Sequence, residues 1–119
     1  MTENVQEPQV IDMDTLRFSP TAVLFEGARF GGIQATSFIV ATPPGGGVGR
    51  HVHPYPEVFI VLNGRLTFGV GDRSVEARAN QIVIVPAQVP HGFTNTGTEP
   101  LSMVTIHVSD HLIQEFLAQ

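Results

Sequence analysis

The sequence predicts a single all-β domain made of antiparallel strands, and two observations carry this prediction. Short segments rich in Val, Ile, Phe and Thr recur along the chain, and clusters of Gly, Pro, Asn and Asp separate them. Between these segments no stretch of about ten or more residues has helical periodicity, so the helical crossovers of a parallel sheet have no candidates. We therefore expect an antiparallel sandwich or barrel.

The predicted strands begin at residue 32 and end at residue 108. Asn63-Gly64 lies between two apolar segments and has the composition of a type I′ hairpin turn. Gly71-Asp72 supplies the next reversal of the chain. The predicted strands are residues 32–42, 58–62, 65–70, 74–77, 82–85, 92–95 and 101–108.

The two ends of the chain are expected to differ from this pattern. Residues 1–10 are polar and are predicted to form a tail or arm, which leaves residues 11–119 as the single domain. Near the other end, Ser109 or Asp110 could cap a short helix whose apolar side chains share one face. The side chains on that face would be Leu112, Ile113, Phe116 and Leu117.

Composition limits the possible functions. With 119 residues, 42% of them apolar, the chain can bury the core of one domain. The absence of cysteine excludes disulfides, thiolate metal sites and cysteine nucleophiles. The net charge is −5 and the six basic residues, all Arg, are scattered, so a nucleic-acid partner is not expected. The chain has no membrane-spanning apolar run and no export signal, which predicts a cytoplasmic protein without a membrane partner.

Three histidines and one glutamate have the spacing of a metal site. His51 and His53 are two residues apart, so in an extended strand their side chains project from one face, about 6–7 Å apart. Glu57 follows a bend at Pro54-Tyr55-Pro56, and His91 comes after another pair of strands. Three imidazoles and one carboxylate suit divalent Fe, Mn, Ni, Zn, Co or Cu better than calcium or magnesium. On an octahedral ion, two positions would stay open for substrate, water or dioxygen.

The same residues belong to a longer pattern that resembles the first motif of the cupin superfamily. Gly45 is followed after five residues by His51-Val52-His53, after three more by Glu57 and after six more by Gly64. Every specified residue and spacing of that motif is present.

The second cupin motif is matched in part. Asn80 is followed after five residues by Pro86-Ala87-Gln88, after two more by His91 and after three more by Asn95. Asn80 and Gln88 stand where the family has glycine, which affects the turns and leaves the ligand spacing intact. Gln88 is either an amide beside the ligands or a solvent-facing loop residue.

The resemblance implies an antiparallel jelly-roll β-barrel with one divalent transition metal ion at its mouth. Candidate catalytic residues are Glu57, which in related flavonol-type dioxygenases takes a substrate proton, together with Tyr55 and His107. Alternatively, Tyr55 packs on its flanking prolines and His107 is a partly exposed residue near a strand end. The implied metal ligands are His51, His53, Glu57 and His91.

Two kinds of function are compatible with these features. One is a metal-dependent enzyme that acts on a small organic molecule by dioxygenase, isomerase or lyase chemistry. The other is a cupin that binds or senses a small ligand without turnover. Arg50 is expected to point away from His51, which disfavours sugar phosphates as substrates, and a homodimer is expected through residues 11–25 and the C-terminal helix. Four phenylalanines are expected in the core, one or two of them lining a pocket: Phe38, Phe59, Phe68 and Phe93.

Overall fold

The computed structural model describes residues 7–118, and within this range the chain forms eleven β-strands and two short 3-10 helices. The 3-10 helices are Met13–Leu16 and Gly27–Phe30. The strands are β1 (Arg17–Ser19), β2 (Ala22–Glu26), β3 (Thr36–Thr42), β4 (Gly47–Val52), β5 (Glu57–Asn63), β6 (Arg65–Val70), β7 (Arg73–Arg78), β8 (Ile82–Val85), β9 (His91–Thr94), β10 (Leu101–His107) and β11 (Glu115–Phe116).

The strands form two antiparallel sheets, which confirms the predicted fold class. One sheet has six strands in the order β1-β2-β3-β10-β5-β8, and the other has five in the order β11-β4-β9-β6-β7. Every paired strand is antiparallel to its neighbour. The two sheets face each other, as in a jelly-roll barrel.

The core lies between the sheets because β5 and β10 alternate buried and less buried side chains along their length. Phe59 from the six-stranded sheet meets Phe68 from the five-stranded sheet edge-on, with ring centroids 4.8 Å apart. Leu101 and Met103 are fully buried in the same cluster. This apolar cluster fills the interior of the barrel between the two sheets.

Two turns differ in how well the sequence predicted them. Asn63-Gly64 is not a hairpin turn, because it carries the chain from β5 in one sheet to β6 in the other. Of these two residues, only Gly64 has a positive φ, at 87°, whereas a type I′ turn needs a positive φ at both. Gly71-Asp72 does join the paired strands β6 and β7, as predicted.

The two positions that depart from the cupin pattern keep the backbone conformation of glycine. Asn80 has a φ of 72° and Gln88 a φ of 67°, both in the left-handed region. For a residue with a side chain this conformation costs about 1 kcal/mol, and less for asparagine. The second motif therefore retains its turn geometry. Gln88 itself is exposed, and its main-chain N–H donates to the carbonyl oxygen of His53 at 2.9 Å.

The predicted C-terminal helix does not form within the described residues. Instead, β11 pairs with β4, with Glu115 opposite Val52 and Phe116 opposite His51. The main-chain N–H of Leu117 also donates to the carbonyl oxygen of Arg50. A helix this short is marginal in isolation, and the open edge of β4 offers the same backbone groups better partners.

The N-terminal region is only partly described. Residues 1–6 of the predicted tail lie outside the described residues, and residues 7–12 have no regular secondary structure. The predicted boundary at residue 10 stays a prediction. No strand was predicted at residues 17–26, where β1 and β2 form the start of the six-stranded sheet. Among residues 7–118, no helix has the length and apolar character needed to cross a membrane.

Candidate metal centre

Four residues from three parts of the chain meet at one end of the barrel. His51 lies on β4 directly opposite His91, the first residue of β9, and Glu57 begins β5 in the other sheet. One ligand atom from each of these three residues and from His53 lies within 4.8 Å of the others. All four side chains are buried, with at most 6% of any residue exposed. The sheets thus assemble the set that the sequence predicted.

Main-chain carbonyls fix which nitrogen of each imidazole faces the centre. The Nδ1 atoms of His51, His53 and His91 lie 2.8, 2.9 and 2.9 Å from the carbonyl oxygens of Gly49, Ile113 and Val89. A carbonyl oxygen can only accept, so each Nδ1 carries the proton and donates it. In the neutral ring the Nε2 lone pair is then free to bind a metal ion.

The carboxylate of Glu57 faces these nitrogens at short range. Glu57 Oε1 lies 3.0 Å from His53 Nε2 and 3.1 Å from His91 Nε2. Two lone-pair acceptors this close need a positive charge between them, either a proton or a metal ion. Among the described residues, His53 Nε2 and His107 Nε2 make no hydrogen bond of good geometry, although they lie 3.0 and 2.8 Å from the Glu57 carboxylate oxygens. The donor set of three imidazoles and one carboxylate fits a divalent metal ion, so the group could hold one.

The protonation preferences of the cluster suit metal binding. Burial by itself would raise the pKa of Glu57, but the imidazoles of His107, His53 and His91 hold it well below its usual range. Burial lowers the pKa of His51 to about 4, and the nearby His91 and His53 act in the same direction. At neutral pH the site therefore offers an ionised carboxylate and a neutral His51, the forms that coordinate metals.

His53 differs from His51 in its electrostatic surroundings. Burial alone would lower the pKa of His53, but the Glu57 carboxylate and the Ile113 carbonyl outweigh it and raise that pKa. Of His51 and His53, His53 therefore holds a proton more readily, next to the Glu57 carboxylate. A metal ion bound at Nε2 would take the place of that proton.

Two further predicted residues, His107 and Tyr55, form a chain behind Glu57. His107 is the cross-strand partner of Glu57 on β10, and its Nε2 lies 2.8 Å from Glu57 Oε2. The Tyr55 hydroxyl accepts from the Ile113 N–H at 3.1 Å and lies 2.8 Å from His107 Nδ1. Because an ionised carboxylate can only accept, the His107 proton lies on Nε2, facing Glu57, and in the neutral ring Nδ1 accepts the hydrogen bond of the Tyr55 hydroxyl.

The burial of these two residues decides between the alternatives left open by the sequence. His107 is only 1% exposed, so it is not a partly exposed residue. Tyr55 is buried and stacks on the His53 ring, with centroids 5.2 Å apart and planes 7° apart. Tyr55 therefore packs on a ligand histidine, and it does not line the cavity that leads to the site.

A cavity of about 150 Å³ opens beside the cluster, between the two sheets. His51, His53, Glu57 and His107 form its polar end. Its remaining walls are mainly apolar and aromatic. The aromatic residues that line it are Phe18, Phe38, Phe59, Phe93 and Phe116.

The sequence predicted only part of the lining of this cavity. Phe38, Phe59 and Phe93 were expected as core or pocket residues, and all three line the cavity. Phe18 and Phe116, which lie near the two ends of the chain, were not expected there. No local signal marks these two residues, because the pairing of β1 with β2 and of β11 with β4 brings them there.

Comparison with known proteins agrees with the fold. A family model described as Cupin domain matches residues 38–107. Over 108 residues the chain is 29% identical to the protein named polyketide synthase CurC of Streptomyces cyaneus, a match that covers 86% of this chain and 70% of that protein.

Solved structures share the same architecture. A Klebsiella pneumoniae protein with a double-stranded beta-helix domain is 20% identical with a TM-score of 0.75, covering 95% of this chain and all of that one. Bacillus subtilis oxalate decarboxylase, described with Mn(II) centers, is 23% identical with a TM-score of 0.74, covering 83% of this chain. The match spans only 29% of the decarboxylase chain. With the family match covering more than half of its length, this chain belongs to the cupin domain family.

Proposed function

We propose that this protein is a metal-dependent enzyme that acts on a small organic molecule at the mouth of its barrel. The observation that best supports this proposal is the orientation of the His51, His53 and His91 rings. Their Nδ1 atoms donate to main-chain carbonyls, and their Nε2 atoms lie close to one another and to the Glu57 carboxylate. The cofactor is one divalent transition metal ion, and the donor set suits Fe, Mn, Ni, Zn, Co or Cu. Mn(II) is the first ion to test, since the similar B. subtilis oxalate decarboxylase has Mn(II) centers.

The chain's own residues define the rest of the mechanism. When bound, the metal would supply Lewis acidity towards a substrate oxygen and, if redox-active, the dioxygen chemistry of an oxygenase. His107 lines the cavity and holds a proton on Nε2, so it can exchange a proton with a substrate or with Glu57. Glu57 can take a substrate proton through Oε2, the oxygen that faces His107. Tyr55 acts through His107 and is a positioning residue.

Metal binding is tested by elemental analysis of untagged protein purified without chelator, followed by Mn(II) titration of the metal-free form. We expect about one equivalent per chain. Replacing His51 and His53 together by Ala should abolish retention, because half of the ligands are lost. The matched control is His111→Ala, since His111 is exposed and pairs only with Asp110. An unchanged metal content in the double variant would contradict the assignment of this site.

Turnover is tested by incubating the metal-loaded protein with small phenols and enols and following products by NMR. A loss of turnover in His107→Ala with metal content unchanged supports the enzyme. The main alternative is a cupin that binds or senses a small ligand. Tight binding by the metal-loaded wild-type protein without any product across the panel would favour that alternative.

We also propose that the chain forms a homodimer, although through a different surface from the one expected from the sequence. Ala22 and Val23, from the expected interface, are buried in the chain's own fold, and the C-terminal helix is absent. The outer face of β5, β8 and β10 instead carries aliphatic side chains, and β8 is an open sheet edge. Two copies of β8 related by a two-fold axis would place these faces side by side. This apolar outer face comprises Val58, Ile60, Leu62, Ile82, Ile84, Val104 and Ile106.

A further inference from the structure

The cavity beside the candidate metal centre indicates which class of ligand the site would bind. We propose that it takes an apolar molecule about the size of one six-membered ring that presents a single negatively charged oxygen, as a phenol, catechol or enol does. This inference rests on the proposed function, because the oxygen would be bound by the metal ion. Three observations support it: the size of the cavity, the nature of its walls and its charge.

The size of the cavity sets the first limit. Its volume is about 150 Å³, and an apolar cavity of about this volume in another protein takes up benzene. A molecule of one ring therefore fills the space between the sheets. A fused polycyclic molecule would have to extend past the mouth into solvent.

The walls of the cavity favour a ring over a polar chain. Aromatic rings approach from both sheets, with Phe38 on β3 and Phe93 on β9. Phe18 and Phe116 stand at the mouth, where 56% and 60% of their surfaces are exposed. When an apolar ligand covers exposed phenylalanines beside a cavity, their apolar surface is removed from water, which favours binding. Phe18 is already held edge-on against Phe38 at 5.4 Å, so this wall is preformed.

The charge of the cavity limits the ligand to one negative oxygen. With Glu57 ionised, a divalent ion leaves the centre at a formal charge of +1, which one anionic oxygen neutralises. Among the described residues that line the cavity, none is Lys or Arg. Arg50, the basic residue next to His51, points outward and donates to the carbonyl oxygen of Gly71 at 2.9 Å. A second carboxylate on the ligand would therefore meet only hydroxyl, amide and imidazole groups, from Ser19, Thr21, Thr42, Thr105, Gln114 and His107, and no cation to balance its charge.

The test compares catechol with oxalate, since both can bind a metal ion through two neighbouring oxygens. Catechol carries a ring and, as the monoanion, one negatively charged oxygen, whereas oxalate has no ring and carries two negative charges. Each is titrated calorimetrically into Mn(II)-loaded protein, and metal content is measured again afterwards. We expect catechol to bind at least tenfold more tightly than oxalate. Metal-free protein should bind both molecules more weakly than the Mn(II)-loaded protein does, because the metal ion that would bind their oxygens is missing.

Two variants at the mouth make the test specific to this cavity. Phe18→Ala should weaken catechol binding by about tenfold and leave Mn(II) affinity unchanged, because Phe18 touches the cavity and not the ligands. Phe18→Arg should also tighten oxalate binding, because it adds the missing cation. Leu62→Ala is the matched control, since Leu62 is similarly exposed, at 55%, but lies on the outer face.

The outcomes separate this inference from the proposed function. Protein that binds no Mn(II) would overturn both. Protein that binds Mn(II) but prefers oxalate, or binds the two equally, would overturn the ligand class and leave the metal site standing. A preference for catechol that Phe18→Ala does not change would place the ligand outside this cavity and overturn the inference as well.

Discussion

Each metal-facing histidine has its proton fixed by a neighbour in the fold. For His51 and His91 that neighbour is the carbonyl oxygen two residues earlier, so the strand itself orients the ring. For His53 it is the carbonyl oxygen of Ile113, sixty residues away in the chain. His107 has the opposite tautomer, because its Nε2 faces the acceptor-only Glu57 carboxylate and its Nδ1 accepts a hydrogen bond from the Tyr55 hydroxyl. The four imidazoles thus divide into three whose Nε2 atoms could bind a metal ion and one whose Nε2 carries a proton towards Glu57.

The lowered pKa of His51 predicts how the stability of metal-free protein depends on pH. His51 takes up a proton near pH 6.5 in the unfolded chain but only near pH 4 in the fold, because burial disfavours its charged form. The stability that depends on neutral His51 is therefore complete above pH 6.5 and is lost as the pH falls towards 4. Relative to His51→Asn, the unfolding free energy should fall by about 1–3 kcal/mol over this interval, allowing for solvent screening near the mouth.

Urea denaturation of the metal-free proteins at several pH values measures this difference. His53→Asn provides the comparison, because the pKa of His53 is raised and its contribution has the opposite sign. That contribution is present below about pH 6.5 and is lost as the pH rises through the folded pKa. Parallel pH curves for wild type and His51→Asn would show that burial does not hold His51 neutral.

Short strands and turns position the residues of the candidate metal centre. β11 has only two residues, yet its pairing with β4 brings Phe116 to the cavity, and the segment before it brings the Ile113 carbonyl to His53. The turn before β9 sets the position of His91, and it depends on a left-handed Gln88. These connections, which contribute little to the core, therefore control the geometry of the ligands.

The two left-handed residues in turns predict a measurable difference in stability. Gln88→Gly should stabilise the metal-free protein by about 0.5–1 kcal/mol, because glycine adopts a φ of 67° without the steric cost. Asn80→Gly should change stability by less than about 0.3 kcal/mol, because asparagine already tolerates this region. Both side chains are exposed, so few contacts are lost. Urea denaturation gives both values, and equal effects would contradict the strain argument.

The edge strand β8 is where the proposed homodimer can be tested. Ile84 is 68% exposed on the apolar outer face, and Ile84→Glu should convert the dimer to a monomer, because a buried carboxylate at the interface would lack a partner. Light scattering at micromolar concentration measures the mass. Val75→Glu, on the other sheet, is the control and should leave the mass unchanged. A wild-type mass near one chain at that concentration would contradict the dimer.

For the molecule as a whole, the proposed metal ion would join the two sheets. His51 and His91 belong to the five-stranded sheet, whereas Glu57 begins β5 in the six-stranded sheet. The same end of the barrel is otherwise held by the hydrogen bonds around Tyr55 and Ile113 and by burial of the histidines. Binding at this position should therefore stabilise the whole fold and not one hairpin.

Removal of the metal ion tests whether it stabilises the whole fold. An ion present at a hundredfold excess over its Kd stabilises the folded state by about 2.7 kcal/mol, provided that it does not bind the unfolded chain. For a domain of this size we expect the Tm to fall on the order of 10 °C after chelation. Calorimetry before and after dialysis against chelator measures the shift. The double variant His51→Ala, His53→Ala should show no shift, and a similar shift in that variant would place the stabilising ion elsewhere.

Local signals in the sequence predicted much of the fold and the four clustered residues. Segments rich in Val, Ile, Phe and Thr, separated by turn residues, predicted β5, β6, β8 and β10 to within a few residues. The pair of histidines two apart, with Glu57 and His91, predicted a metal site that the fold brings together. These features depend on neighbours in the chain, so they can be read without the structure.

The all-β class, most of the strands and the four clustered residues could therefore be predicted from the sequence, because strand composition, turn residues and motif spacing are short-range properties. Tertiary structure alone decided that residues 115–116 form a strand and not a helix, and that Asn63-Gly64 crosses between sheets. It also determines which groups hydrogen-bond to His53 and His107, and it brings the aromatic residues to the mouth of the cavity. The physical reason is that each of these depends on a hydrogen bond or contact between residues far apart in the chain, which no local pattern specifies.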